Sequence, residues 1–316
     1  MNALKSLARQ PWIFAFAAAV AVWLATAAFT RGQGAPEVLS VAFTFATFFV
    51  IVAIGQMFVV TLGPGNVDLS IPATMTLAGT VSMKVMDGAD WMILPGYLVA
   101  LGVGLVVGLF NVALIRLLRI PPIIATLSSS FVIQSAAIWY NRGLRVKPPE
   151  WLAEFTTAKV LGMPVLAILV IAVAAVMHVV LNRTVYGRTV IAIGQNARAA
   201  RLARLDVSRV RLGTYVMCSA FAASCGYFLA GFSGGAALDM GAEYLLASIA
   251  VVVIGGTSVA GGYANVPGLW GAALFLFLLV TMLNTFGLGA GVRLVLTGLI
   301  IIAVIALAGG SRADRR

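Results

Sequence analysis

The sequence predicts an all-α integral membrane protein with about ten transmembrane helices, two inverted-topology halves and both termini on the cytoplasmic side. Three observations carry this. Apolar residues make up 61% of the chain and charged residues only 10%, whereas a soluble domain carries roughly 25% charged residues. The apolar residues fall into separate runs, each near the roughly 20 residues that a helix needs to cross the hydrocarbon. The charges between those runs segregate by side.

The runs lie at 11–30, 37–62, 69–86, 91–115, 121–140, 162–181, 211–232, 244–262, 267–286 and 292–308. They leave no room for a separate soluble domain, so residues 1–316 read as a single transmembrane domain. Lys5 and Arg9 ahead of the first run imitate a signal peptide, but the run is long enough to cross, and an uncleaved first helix is expected. With the N-terminus inside and the sides alternating, Arg116, Arg119, the arginines between 183 and 211 and both basic ends share the inner face. That face then carries the whole net charge of +11, and the outer segments balance, as the positive-inside rule requires. The charge is topological, which removes the argument for nucleic acid. Spans two to five start outside and spans seven to ten start inside. Inverted halves of this kind place a substrate path at their interface.

Several chemistries are excluded. His178 is the only histidine, so no histidine metal cluster can form, and no cofactor is expected. Cys218 and Cys225 sit seven apart in one apolar run, two turns along a helix and too far apart to bridge; they read as small buried hydrophobes. The span interiors hold no cluster of acids, so an embedded enzyme lacks its groups. No Gly-x-x-x-x-Gly-Lys-Ser/Thr occurs, so the chain has no such ATP site.

What interrupts the helices is more informative. Gly63-Pro64-Gly65-Asn66-Val67-Asp68-Leu69-Ser70-Ile71-Pro72 breaks the pattern at a membrane face. Irregular backbone at membrane depth survives only inside protein or beside a water-filled cavity. Asp68 is therefore either part of a cap or gate, with Ser70 as the other capping candidate, or a direct solute contact together with Asn66. A second break, 255–268, is rich in glycine and lets backbones approach closely. Thr126, Ser130 and Gln134 recur on one face of the fifth span, as a solute route or as a packing stripe. Gly104, Gly108 and Asn111 on the fourth read as helix packing. Neutral hydroxyls and amides suit a neutral polyhydroxy solute, whereas an ion would call for charge.

Residues 182–210 form the longest inner connection. Gly194 is expected to end one element and Asn196 to cap the next, a short helix over Asn196 to Arg204. Arg198 and Arg201 would then be exposed, and Ala199 and Ala200 small enough for close contact. Such a helix can dock a partner or lie on phospholipid headgroups.

Taken together, these motifs resemble a family, the membrane permease subunits of bacterial ABC importers for sugars of the ribose/xylose/galactose type, and the similarity covers nearly the whole chain. Asp68-Leu69-Ser70 resembles the family's Gly-Ile-Asp-Leu-Ser-Val-Gly. Pro122-Ile123-Ile124-Ala125-Thr126-Leu127 resembles its Pro-Phe-Ile-Val-Thr-Leu. Gly187-Arg188 through Ala199-Ala200-Arg201 resembles its coupling loop, and Gly255-Gly256-Thr257-Ser258 with Gly261-Gly262, Gly268 and Gly271 its late glycine segment. The sequence departs from that pattern at 64–67, Pro72, Ser128 and Arg204-Leu205, so the resemblance gives a substrate class and no particular sugar. It implies a second permease subunit, identical or not, two cytoplasmic ATPase subunits, a periplasmic solute-binding protein and a place in the bacterial inner membrane. It implies that 182–210 is the coupling loop, with Gly194, Asn196, Arg198, Ala199, Ala200 and Arg201 at the ATPase contact. Related permeases for branched-chain amino acids or nucleosides would share this logic.

Overall fold

A computed structural model of the chain describes residues 11–141, 146–287, 289, 291–292, 295–300 and 302–303. The basic lead, the basic C-terminus, Arg142, Arg145 and much of the tenth expected span lie outside the described residues. Twelve helices are defined among the rest: α1 Pro11–Phe29, α2 Ala35–Thr61, α3 Ile71–Met86, α4 Ile93–Arg116, α5 Pro122–Tyr140, α6 Glu150–Thr157, α7 Val165–Arg183, α8 Val185–Gln195, α9 Ala197–Leu202, α10 Val207–Phe232, α11 Tyr244–Ile254 and α12 Val266–Thr285. A two-residue hairpin pairs Lys159–Val160 (β1) with Met163–Pro164 (β2).

Among the described residues, seven helical segments are long and apolar enough to cross a membrane: α1, α2, α4 with its leading turn from Asp90, α5, α7, α10 and α12. They coincide with the first, second, fourth to seventh and ninth expected spans. Two others come out shorter. α3 has 16 residues, about 24 Å of helix, and buries Thr74, Thr76, Thr80 and Ser82. The eighth was expected over 244–262, but α11 stops at Ile254. Beyond it the chain turns at Gly256 (φ 94°) and at Gly261 and Gly262 (φ 83° and 72°), conformations that end a helix and favour glycine.

α10 is the central post, packed against α2, α3 and α4. It approaches them through small residues. A Cβ on Gly55 of α2 would sit 2.8 Å from Cys218 Cα, one on Gly104 of α4 2.7 Å from Ser219 O, and one on Gly108 2.6 Å from Val216 Cα. The glycine stripe of α4 is thus a packing surface, where missing side chains let backbones touch. Cys218 and Cys225 are free and buried in the same post. α12 closes the other side, against α1 and α2, with Phe45 and Phe277 stacked 5.0 Å apart.

The helices have two distinct ends. One is rich in arginine: Arg116, Arg183, Arg188 and the α8–α10 connection. At the other, Lys84 Nζ donates to Tyr140 O at 3.0 Å and lies 4.2 Å from the Tyr140 ring centre. α6, which the hydropathy pattern does not reveal, covers that second end. It buries Leu152 and Thr156, and Asp90 Oδ1 accepts the Trp151 N–H at 3.1 Å. Ser40 Oγ donates to Gly162 O at 2.8 Å and ties the hairpin to α2.

Because α4 meets α10 without side chains between them, Gly104→Leu should overfill that contact and destabilise the protein by about 1–3 kcal/mol. Gly102, where a Cβ would meet nothing within 4 Å, supplies the control. Thermal unfolding in detergent should show a lowered midpoint for Gly104→Leu and little change for Gly102→Leu; equal midpoints would refute the packing account.

Candidate functional site

Residues 63–70 join α2 to α3 without helical hydrogen bonds, yet Gly63, Asn66, Asp68 and Ser70 are buried. The peptide groups of this segment must find partners inside the protein. Side chains of α2, of α5 and of the segment itself supply several of them. Gln56 Oε1 of α2 accepts the Asp68 N–H at 3.1 Å. Thr126 Oγ1 of α5 accepts the Leu69 N–H at 3.0 Å and reaches Val67 O at 3.1 Å. Asp68 Oδ1 accepts both the Ser70 N–H (2.9 Å) and the Ser70 hydroxyl (2.6 Å). Asn111 Nδ2 of α4 then donates to Ser70 Oγ at 2.8 Å, and Ser129 Oγ of α5 donates to Asn111 Oδ1. Asn66 Nδ2 donates to Gly63 O at 3.1 Å, and Tyr215 of α10 donates to Asn66 Oδ1 at 3.4 Å.

Asp68, Ser70, Asn66 and Thr126 are therefore brought together, and all four are buried. Ser130 and Gln134 are not part of this cluster. Gln134 Nε2 donates instead to Leu238 O, at 2.7 Å, in the loop before α11. The expected stripe thus runs from the break toward the far end of α5, with Ser130 half-buried between. Ser70 occupies the cap position of α3, but its side chain makes no cap bond to that helix; its hydroxyl turns back to Asp68. Gln56, Asn111 and Ser129 complete the network, and sequence reasoning did not assign them to it. Gln56 carried a signal: it is the single amide inside the 27-residue α2, and a polar group there must have a partner.

The second cluster lies at the arginine-rich end. Asn196 Oδ1 accepts the N–H groups of Arg198 and Ala199, both at 3.0 Å, and so caps α9. The helix expected after Asn196 is present and stops at Leu202. Gly194 is expected to end an element, and α8 stops one residue beyond it, at Gln195. Gly194 lies in the last turn of α8, and the reason it is glycine is proximity: a Cβ there would overlap Thr61 O of α2 and Gly262 N of the glycine-rich loop. One on Gly261 would overlap Gly63 Cα, and one on Gly262 would lie 2.6 Å from Gln195 Cγ. The Gly262 N–H donates to Thr61 O at 3.0 Å, and Gln195 Nε2 to Gly262 O at 3.4 Å. Three chain segments thus meet backbone to backbone, one residue from α9 on one side and from the break on the other.

Tyr186 secures the start of α8. Its hydroxyl pairs with Thr214 Oγ1 at 2.8 Å and its ring stacks on Phe58, 6.2 Å between centres. Burial pushes its phenol above the ordinary value, so it stays neutral. Ala200, expected at a partner contact, instead faces its own chain and is 4% exposed. The outward face of α9 is Arg198, Ala199, Arg201 and Leu202, the last 82% exposed. Two small cavities, of about 90 and 10 Å³, lie at the two ends of the bundle, and neither is lined by Thr126, Ser130 or Gln134.

The Asp68 geometry yields a graded expectation. Asp68→Asn keeps the Oδ1 acceptor and should leave stability nearly unchanged. Asp68→Ala strands Ser70 and should cost about 1–3 kcal/mol. Denaturation of the purified protein checks this; equal losses for both variants would show that charge, not the acceptor, holds the break.

Comparison with known proteins places this arrangement. A family model described as branched-chain amino acid transport system / permease component matches residues 38–305. The chain is similar to a ribose import permease protein of Bacillus subtilis (strain 168), 31% identical over 266 residues, 81% of this chain and 80% of that protein. It is 29% identical over 268 residues to a probable ABC transporter permease protein of Sinorhizobium fredii (strain NBRC 101917 / NGR234), 84% of this chain and 79% of that one. It is also 28% identical over 310 residues to an autoinducer 2 import system permease protein of Enterobacter sp. (strain 638), 98% of this chain and 90% of that one. No solved structure matches it significantly. The chain belongs to the family described as the permease component of the branched-chain amino acid transport system.

Proposed function

We propose that this chain is the membrane permease subunit of an ATP-driven ABC importer that moves a monosaccharide or related polyhydroxy solute by alternating access. The observation that carries the reading is the junction of three backbones, which joins an exposed, capped helix to a buried break in the membrane bundle. A transport subunit driven from outside the bilayer needs such a link. In this reading ten spans form two inverted halves, with the arginine-rich end and both termini in the cytoplasm of a bacterium and the chain in its inner membrane. Residues 182–210 are the coupling loop. Arg198, Ala199 and Leu202 meet one of two ATPase subunits, with Gly194 and Asn196 placing them, Arg201 at the inner edge of that contact and Ala200 anchoring the helix from within. A second permease subunit completes the path, and a periplasmic binding protein delivers the solute.

The solute class rests on two supports. Relatives bear the names of ribose and autoinducer 2 importers. Thr126, Ser130 and Gln134, which we place along the solute route, offer hydroxyl and amide groups and no charge. A branched-chain amino acid, the solute in the family description, is a zwitterion and would call for charged anchors that this stripe lacks.

Reconstitution with the ATPase and binding protein tests the reading. ATP-dependent uptake of ribose or a similar polyhydroxy solute, and none of leucine, is expected; the reverse preference would overturn the solute class. In the same vesicles Leu202→Asp should cut the response of ATP hydrolysis to loaded binding protein about tenfold, as loss of a buried apolar anchor does. An unchanged response would remove α9 from the docking surface.

A further inference from the structure

At the arginine-rich end, the cavity of about 90 Å³ lies where the end of α4, α9 and the start of α10 converge. Arg116, Arg201, Arg211 and Ser208 line it, over a floor that includes Val112 and Ile115. Arg211 Nε is buried and has no hydrogen-bond partner in the protein. Among the described residues no acid pairs with any of the three arginines. Asp206, the acid that caps α10, turns its carboxylate to Arg209, with Oδ1 2.9 Å from Arg209 N and Oδ2 3.0 Å from Arg209 Nε.

Three guanidinium groups around one small cavity repel one another unless an anion joins them. The first turn of α10 adds the positive end of a helix to the same place. Arginine forks match the oxygens of a phosphate group. At about 90 Å³ the cavity admits a small group such as a phosphate and lies far below the roughly 300 Å³ of a pocket for a larger organic ligand. The surroundings are apolar on one side. Leu117 and Leu118, which follow Arg116, are 75% and 64% exposed, and Val106, Leu109 and Phe110 of α4 also face outward. An anion that lodged here with a hydrocarbon chain attached would find a surface for both parts.

We propose that this cavity binds the phosphate of an acidic phospholipid headgroup, with its acyl chains along the outer face of α4. The bound phosphate bridges α9 to α4 and α10, so the position of the docking helix depends on the lipid. The assignment concerns the permease chain alone and stands whether or not the solute proposed above is correct.

The test uses the full purified chain and native mass spectrometry, with phosphatidylglycerol and phosphatidylcholine as probes. Phosphatidylglycerol should bind in preference to phosphatidylcholine. Arg116→Gln and Arg211→Gln should each weaken that binding about tenfold, the effect of one charge-assisted hydrogen bond. Arg116 is exposed, so its variant reads binding rather than folding. Inorganic phosphate should compete only weakly, because it brings no chain. Equal binding of the two lipids, or variants that bind phosphatidylglycerol like the parent, would overturn the proposal. So would phosphate that displaces the lipid fully at low concentration, which would make a soluble anion the ligand. Loss of ATPase docking in both variants with lipid binding intact would assign the arginines to the partner protein instead.

Discussion

The arginine-rich end of the bundle depends on the absence of three side chains. Gly194, Gly261 and Gly262 let the end of α8, the loop after α11 and the end of α2 touch through their backbones. Any larger residue at 194 would overlap a carbonyl oxygen on one side and an amide nitrogen on the other. The consequence is geometric. α8 is fixed to α2, so α9, one residue further on, has a fixed place. The break begins at Gly63, on the same contact. Packed backbone has little room to deform, so a displacement of α9, were a partner to impose one, would reach residues 63–70 without a flexible intermediary.

The break itself is governed by a different constraint. Non-helical backbone inside an apolar bundle must have its peptide groups satisfied by side chains. Gln56, Thr126 and Asp68 accept those N–H groups, and Asn111 and Ser129 secure Ser70 in turn. The network takes one residue or two from each of α2, α4 and α5, so a shift of the break would be felt by all three helices. Its members are mostly neutral, and two of their atoms, Gln56 Nε2 and Asp68 Oδ2, are buried with no hydrogen-bond partner in the protein. Buried polar networks of this kind favour one arrangement over its neighbours.

Much of this was legible in the sequence, for reasons that differ by element. Helices α1, α2, α4, α5, α7, α10 and α12 were readable because lipid demands long apolar runs, and Asn196 because a capping side chain followed by Ala-Arg-Ala-Ala-Arg-Leu has few other uses. Asp68, Ser70, Asn66 and Thr126 were visible as polar residues in places where polarity is costly. Gly194 marks the end of α8 to within one residue, but only the approach of Thr61 and Gly262 shows that it is also a contact. Ala200 was placed on the outward face because spacing along a six-residue helix does not say which side meets the rest of the chain. α6 was missed because eight amphipathic residues on a loop leave little hydropathy signal. Ser129 was passed over for Ser130, since both lie on α5 and only the position of Asn111 selects between them.

The central claim is that α9 and the break move as one body. Pro64 and Ala199 are both exposed, and Cys218 and Cys225 are buried, so spin labels can be placed at Pro64→Cys and Ala199→Cys in the assembled transporter. Pulsed electron resonance between the two labels, in the nucleotide-free and ATP-bound states, measures the link directly. The account predicts a distance that stays constant between states, while the distance from either label to one at Lys147 changes. A Pro64–Ala199 distance that shifts as much as those to Lys147 would contradict it.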